Sequence, residues 1–253
     1  MSRAGAPRSE RDGRALVALV QQRAIQTDVL TDYLAISRSH VYETLKSLRT
    51  EGLVRPLETH SAGARWAVPT KAGARWVTGR NEPDWTPSPL WCPHGRAVTQ
   101  TRIALGATGL DAWTSERELL TETGGRRMRY PYDGRWTDPT SGEWVAVRVD
   151  ISNLASNFRA NLAATVARTE HDGCDRLLYV CGGVAMPDTV RRHATQTGHD
   201  VPVDAVDFDD LLDHWRQRTD RQATAGDTST PDPRHPTKPQ VTPGTSRDRH
   251  RSR

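Results

Sequence analysis

Lysine is the scarcest charged residue in this sequence. Lys46, Lys71 and Lys238 are the only three in 253 residues, and none falls between 81 and 217. Chemistry that needs a lysine ε-amine is therefore excluded from that middle stretch. Cysteine is also sparse: Cys92, Cys174 and Cys181 form an odd count with no CxxC pair, which argues against a disulfide framework and a zinc ribbon and for buried thiols. Long apolar runs are missing too. The longest near the start, Ala15–Val20, is followed by Gln21-Gln22-Arg23, too short for a transmembrane span or a signal peptide. The expectation is a cytoplasmic protein with no membrane partner. A hydrophobic content of 35% and a mean hydropathy of −0.70 are low for a wholly compact chain, so part of it should be unstructured.

What charge there is, is unevenly placed. Residues 1–80 carry 13 Lys+Arg against 7 Asp+Glu, net +6; residues 81–217 carry 14 against 20, net −6. Residues 218–253 carry 8 against 4, net +4. Positive charge thus sits at the two ends, where it could meet phosphate, and the acidic middle is ill suited to a second broad nucleic-acid clamp.

The stretch from Ile25 to Glu58 reads as helix, tight turn, helix, strand. Val29, Leu30, Tyr33 and Leu34 recur at the three-and-four spacing of one apolar helix face. Ala35-Ile36-Ser37 breaks that pattern, and Ser37 or Ser39 can N-cap a second helix. In it Val41, Leu45 and Leu48 face inward, leaving Arg38, Ser39, His40, Tyr42, Lys46 and Arg49 outward. Gly52 suits a left-handed C-cap. A strand from Leu53-Val54, a polar turn at His60–Gly63 and a returning strand Arg65–Val68 then make a wing. A helix with such an outward face fits the major groove of double-stranded DNA, with its cations and hydroxyls, and Arg65 of the wing, divided between phosphate and base contacts. A winged helix can also serve purely as a protein–protein or dimerisation module.

The domain reading is a winged helix-turn-helix over 9–80, a linker over 81–89 with three prolines, an α/β domain over 90–216, and a disordered basic tail over 217–253. Within the α/β stretch the pattern predicts helices over Arg96–Leu105, Leu154–Arg168, Pro187–Thr197 and Phe208–Arg216, and a helix start at Ser115–Leu120. It predicts strands over Asp111–Thr114, Arg127–Tyr132, Trp144–Ile151, Arg176–Cys181 and Val201–Val206, with a hairpin turn at Asp138–Gly142. That succession is an α/β (mixed α+β) sandwich around a mixed sheet. Trp66, Trp76, Trp113, Trp136 and Trp144 read as packing residues, and Cys92-Pro93-His94 as a packed or capping segment.

The chemistry-bearing feature is the hairpin. Asp133 precedes it, Arg148-Val149-Asp150 lies on its second strand, and Glu116 is near in sequence. Converging carboxylates at a sheet edge can hold Mg²⁺, as in nucleases that pair one acid with an acid-x-lysine on the next strand. Leu90-Trp91-Cys92-Pro93-His94, Trp113–Leu119, Pro131-Tyr132-Asp133-Gly134 and Trp144–Asp150 together resemble the replication-relaxation family, over residues 15–216. That resemblance implies a winged helix followed by a restriction-endonuclease-like, PD-(D/E)XK-like unit. It further implies DNA binding in plasmid or mobile-element replication or its regulation, with a homodimer or a replication or mobilisation partner. Asp133, Asp150 and Glu116 are the catalytic set, and Asp133 and Asp150 the Mg²⁺ ligands, only under a nuclease reading; otherwise no cofactor is expected. The sequence departs from the nuclease pattern: Arg148 stands where an acid belongs, Asp150 fills the lysine slot, and Arg159 is the cationic stand-in. Arginine is a poor proton donor or acceptor. A third reading makes the chain a transcriptional regulator whose α/β domain binds a ligand or partner.

Overall fold

Ser9 opens the first helix by accepting the Asp12 N–H at 3.1 Å; α1 (Glu10–Gln21) then buries Ala15, Leu16, Ala18, Leu19 and Val20. The computed structural model describes residues 5–60, 62–124, 130–152 and 157–227, with side chains through 221. After α1 comes a two-residue strand that the sequence pattern does not reveal, β1 (Ile25–Gln26), and then α2 (Thr27–Leu34). Ala35 turns the chain in a left-handed conformation (φ 53°), and α3 (Arg38–Thr50) follows. Gly52 (φ 72°) ends the motif as expected.

The wing differs in detail from the expectation. β2 (Trp66–Ala67) pairs antiparallel with β1, Ile25 facing Ala67 and Gln26 facing Trp66. The strand expected from Leu53 is reduced to two isolated bridges, Val54 to Pro69 and Glu58 to Trp66. Pro56 between them has no N–H to give a ladder, which accounts for the interruption. α4 (Lys71–Thr78) is capped by the Thr70 hydroxyl. Leu16, Leu19, Leu30, Leu45, Leu48 and Leu53 share the core of this part.

Residues 81–89 contain no helix or strand, yet they lie against the winged helix. Arg55 reaches the Thr86 hydroxyl (3.0 Å), the Trp85 carbonyl (2.9 Å) and the Asp84 carboxylate, while Trp85 and Trp91 pack with Trp66 and Cys92.

Beyond them runs α5 (Cys92–Ala104), then β3 (Trp113–Ser115) and α6 (Glu116–Glu122), which opens on a Ser115–Glu118 capping box. The hairpin is β4 (Gly134–Thr137) and β5 (Trp144–Asp150), turned at Asp138–Gly142 as the sequence indicates. The first hairpin strand is displaced from its expected place. Residues 130–133 are irregular, and the rest of the expected Arg127–Tyr132 strand lies outside the described residues. α7 (Phe158–His171), β6 (Arg176–Cys181), α8 (Pro187–Ala194), β7 (Val203–Asp207) and α9 (Phe208–Asp227) complete the order; the start expected for α7 at Leu154 lies outside the described residues. α9 continues eleven residues past its expected end at Arg216, into the stretch read as tail; residues 228–253 lie outside the description.

The five strands are ordered β3-β4-β5-β6-β7, antiparallel through the hairpin and parallel from β5 onward, which makes the sheet mixed. Alternation decides the faces. Val145, Val147, Val149, Leu178 and Val180 meet α5 and α9 on one side; Ala146, Leu177, Tyr179 and Cys181 meet α7 and α8 on the other. α5 and α9 also reach the winged-helix core, through Ile103 and Trp215. Trp66, Trp113 and Trp136 are buried as expected, but Trp76 and Trp144 are about half exposed; Trp144 instead lies under the Arg135 guanidinium, 4.7 Å away. All three cysteines are buried, and burial, then the Asp150 and Asp207 charges, push the Cys181 thiol up to about 12. Among the described residues no helix is long and apolar enough to cross a membrane.

Candidate nucleic-acid interface

The second helix of the motif is fixed from behind. Val41, Thr44, Leu45 and Leu48 are buried, and the Ser47 hydroxyl donates to the buried Asp12 carboxylate at 2.8 Å, tying α3 to α1. That leaves Arg38, Ser39, His40, Tyr42, Lys46 and Arg49 exposed on its other side, as the periodicity requires. Ser37 orders its first turn: its hydroxyl accepts the His40 N–H and lies 2.9 Å from the Ser39 hydroxyl and 3.0 Å from His40 Nδ1. The Arg38 guanidinium stacks on Tyr42 at 5.7 Å. The Thr27 side chain and the Arg38 and Arg65 guanidinium groups hold the Tyr42 phenol below its ordinary range. Gln26 holds the wing loop by donating to the Ala64 carbonyl at 3.0 Å.

Four exposed cations on this surface, Arg38, Lys46, Arg49 and Arg65, have no carboxylate partner among the described residues. In the α/β part Arg117 pairs with Glu82 (3.0 Å), Arg168 with Asp172 (2.6 Å), and Arg176 with Asp138, Glu143 and Asp204 (3.0–3.1 Å). A cation already neutralised has little to offer a phosphate.

The three carboxylates of the nuclease reading each have separate partners. Asp133 is buried; its Oδ1 lies 2.7 Å from His94 Nε2, and its Oδ2 accepts the Val149 N–H at 2.8 Å and faces Arg148 at 3.6 Å. Burial alone would raise its pKa, but the His94 and Arg148 charges and these hydrogen bonds hold it well below the carboxylate range. Asp150 accepts from the Tyr179 hydroxyl (2.8 Å) and the Ser152 N–H (3.0 Å), and Glu116 from the Tyr130 N–H (3.2 Å). Arg148 therefore pairs across the hairpin with Asp133, not with its strand neighbour Asp150. Arg159 is exposed and lines a separate hollow with Phe158 and Val184. Among the described residues no three His, Cys, Asp or Glu side chains stand together as a metal-ligand group. This set does not suit Mg²⁺, which needs several free oxygens on one point, whereas a guanidinium already faces Asp133.

Two participants escape a sequence reading. His94 reads from the sequence as part of a packed or capping Cys-Pro-His, yet it is the closest partner of Asp133. Arg102 lies on α5 with no sign of its role and is fully buried at the join between the winged helix and the sheet. It donates to Gln21 Oε1 (2.8 Å) and the Ala107 carbonyl (2.7 Å), between the rings of Tyr33 and Trp113. Desolvation lowers its pKa.

Comparison with known proteins adds one match. Residues 9–69, from the Ser9 cap to the end of the wing, match the family model described as sugar-specific transcriptional regulator TrmB. No curated protein and no solved structure matches the chain. The amino-terminal part is a helix-turn-helix similar to that of DNA-binding transcriptional regulators.

Proposed function

We propose that the protein is a duplex-DNA-binding transcriptional regulator. In this reading 9–80 and 90–216 act as two domains joined through 81–89. Ser39, His40 and Tyr42 face base edges from the start of α3, and Arg38, Lys46, Arg49 and Arg65 anchor phosphates. The observation that carries it is the gathering of four exposed cations without ion pairs among the described residues, Arg38, Lys46, Arg49 and Arg65, on the wing and on α3, a helix whose opposite face is buried. The match over residues 9–69 supports the same direction. The α/β part receives a ligand or partner and does not hydrolyse DNA, since Arg148 supplies the positive charge beside Asp133 that a nuclease would draw from metal.

A role in plasmid or mobile-element replication is the second reading, favoured by the resemblance of the Asp133 hairpin and its flanks. Footprinting of the full chain separates the two: protection of its own promoter supports the regulator, and protection of a replication origin supports the second reading. Mg²⁺-dependent plasmid cleavage that Asp133→Ala abolishes would replace both with a nuclease.

A further inference from the structure

The wing is held from behind by the first turns of α5, a helix of the α/β part. Arg96 Nη1 donates to Gln26 Oε1 at 2.5 Å and pairs with the Asp28 carboxylate at 2.9 Å. At its other end the Gln26 amide donates to the Ala64 carbonyl of the wing loop at 3.0 Å. Gln26 is only 3% exposed, so both ends of its amide need protein partners, and both have them. Arg65, next along the loop, is exposed and forms no ion pair among the described residues. Its carbonyl accepts the Thr27 N–H at 2.9 Å, directly beside Gln26.

A second contact runs beside the first. Trp91, just ahead of α5, sets its ring 5.6 Å from that of Trp66 on β2. That ring lies over Gly95, where a Cβ would come within 2.3 Å of it, so glycine gives it room. The remaining faces of α5 belong to the sheet part. Ala97 and Val98 pack with Val145 and Val147, and His94 holds Asp133 at 2.7 Å. One helix therefore touches both the hairpin that carries Asp133 and the wing. Without Arg96 the Gln26 carbonyl oxygen would be buried and unpaired, which folded proteins avoid. The amide must then turn to another donor or open to water, and either movement gives up the Ala64 carbonyl.

We propose that Arg96 and Gln26 are positioning residues for DNA binding: α5 sets the wing so that Arg65 meets a phosphate while α3 lies in the groove. A ligand or partner that shifts α5 against the sheet then changes duplex affinity through the wing, the coupling between the two parts that regulation requires. The inference rests on the proposed function, in which Arg65 is one of four phosphate contacts.

The test is the salt dependence of duplex binding by the full chain carrying Gln26→Leu. Leucine keeps the bulk and removes no charge, so it can change the number of cations at phosphate only by displacing one. The slope of log K against log salt should fall from about −3.6 to about −2.7, and the affinity lost between 50 and 200 mM salt from roughly 150-fold to roughly 40-fold. Arg65→Ala should give the same slope, and adding Gln26→Leu to it should lower the slope no further. An unchanged slope in Gln26→Leu overturns the inference. Should that variant not fold, Arg96→Ala serves instead and should match Arg65→Ala. A slope near −1.8 when Arg65→Ala and Arg96→Ala are combined would make Arg96 a phosphate contact itself and overturn the positioning role. Amide hydrogen exchange of the DNA-free chain gives a second reading. Gln26→Leu should speed exchange at Thr27 and Trp66, whose N–H groups bond the Arg65 and Glu58 carbonyls, and leave α3 as it was. Unchanged exchange at the wing, or an equal rise throughout α3, overturns the inference. A chain that binds no duplex sinks the proposed function alone, with the hold of α5 on the wing still decided by exchange.

Discussion

Removing Arg38 and Lys46 together should change how duplex binding depends on salt more than anything else about the protein. Both are exposed on α3 and unpaired among the described residues, as are Arg49 and Arg65. If each of these cations neutralises one phosphate, log K falls with log salt at a slope of about −3.6 per bound chain, from about −0.9 per contact. Between 50 and 200 mM salt that is roughly a 150-fold loss of affinity. Arg38→Ala with Lys46→Ala halves the slope to about −1.8, so the loss over the same range falls to roughly 12-fold. Fluorescence anisotropy of a labelled duplex across a salt series measures both. Arg176→Gln is the control: its guanidinium contacts Asp138, Glu143 and Asp204, so its loss should leave the slope alone. Equal slopes in wild type and double variant would refute the assignment of α3 as the phosphate-contacting surface, whatever the absolute affinity.

Asp133→Asn should cost about 1–3 kcal/mol in urea unfolding, because it leaves the partly buried Arg148 and His94 beside a neutral amide. The Asp133 pKa is depressed in the folded state, so its stabilisation is complete above the ordinary carboxylate value of about 3.9 and drains away as pH falls below it. An acid-unfolding curve that Asp133→Asn does not flatten would contradict this. Gly134→Ala puts a Cβ 2.0 Å from the buried Trp113 ring and should destabilise by at least about 1–3 kcal/mol, read as a lower urea midpoint at unchanged slope. Ser37→Ala removes the α3 cap at a cost of about 1 kcal/mol, and it should weaken duplex binding as well, since Ser37 orders Ser39 and His40.

The parts legible in the sequence are those set by local pattern. Helical periodicity placed Val29, Leu30, Tyr33, Leu34, Val41, Leu45 and Leu48 in the core and the basic residues outside, and the structure agrees. The β6 run Arg176–Cys181 was readable to the residue because an uninterrupted apolar segment between turns has few alternatives. Long-range pairing was not readable. β1 is two residues long and exists only because β2 returns to it some forty positions later. The hairpin's first strand was misplaced because Tyr130 and Tyr132 look β-prone; in fact both hydroxyls turn to Asp172 from irregular backbone. Strand register puts Arg148 opposite Asp133, a pairing that its closeness in sequence to Asp150 does not reveal. The burial of Arg102 and the bridge from Arg96 to Gln26 depend on distant elements meeting, which no single stretch encodes.

Selection of bound duplexes from a random pool by the full chain, with and without Mg²⁺, bears most directly on the main claim. The predicted result is a shared motif enriched equally under both conditions, on DNA recovered uncut. A pool without enrichment at low salt, or one recovered as fragments only when Mg²⁺ is present, would contradict it.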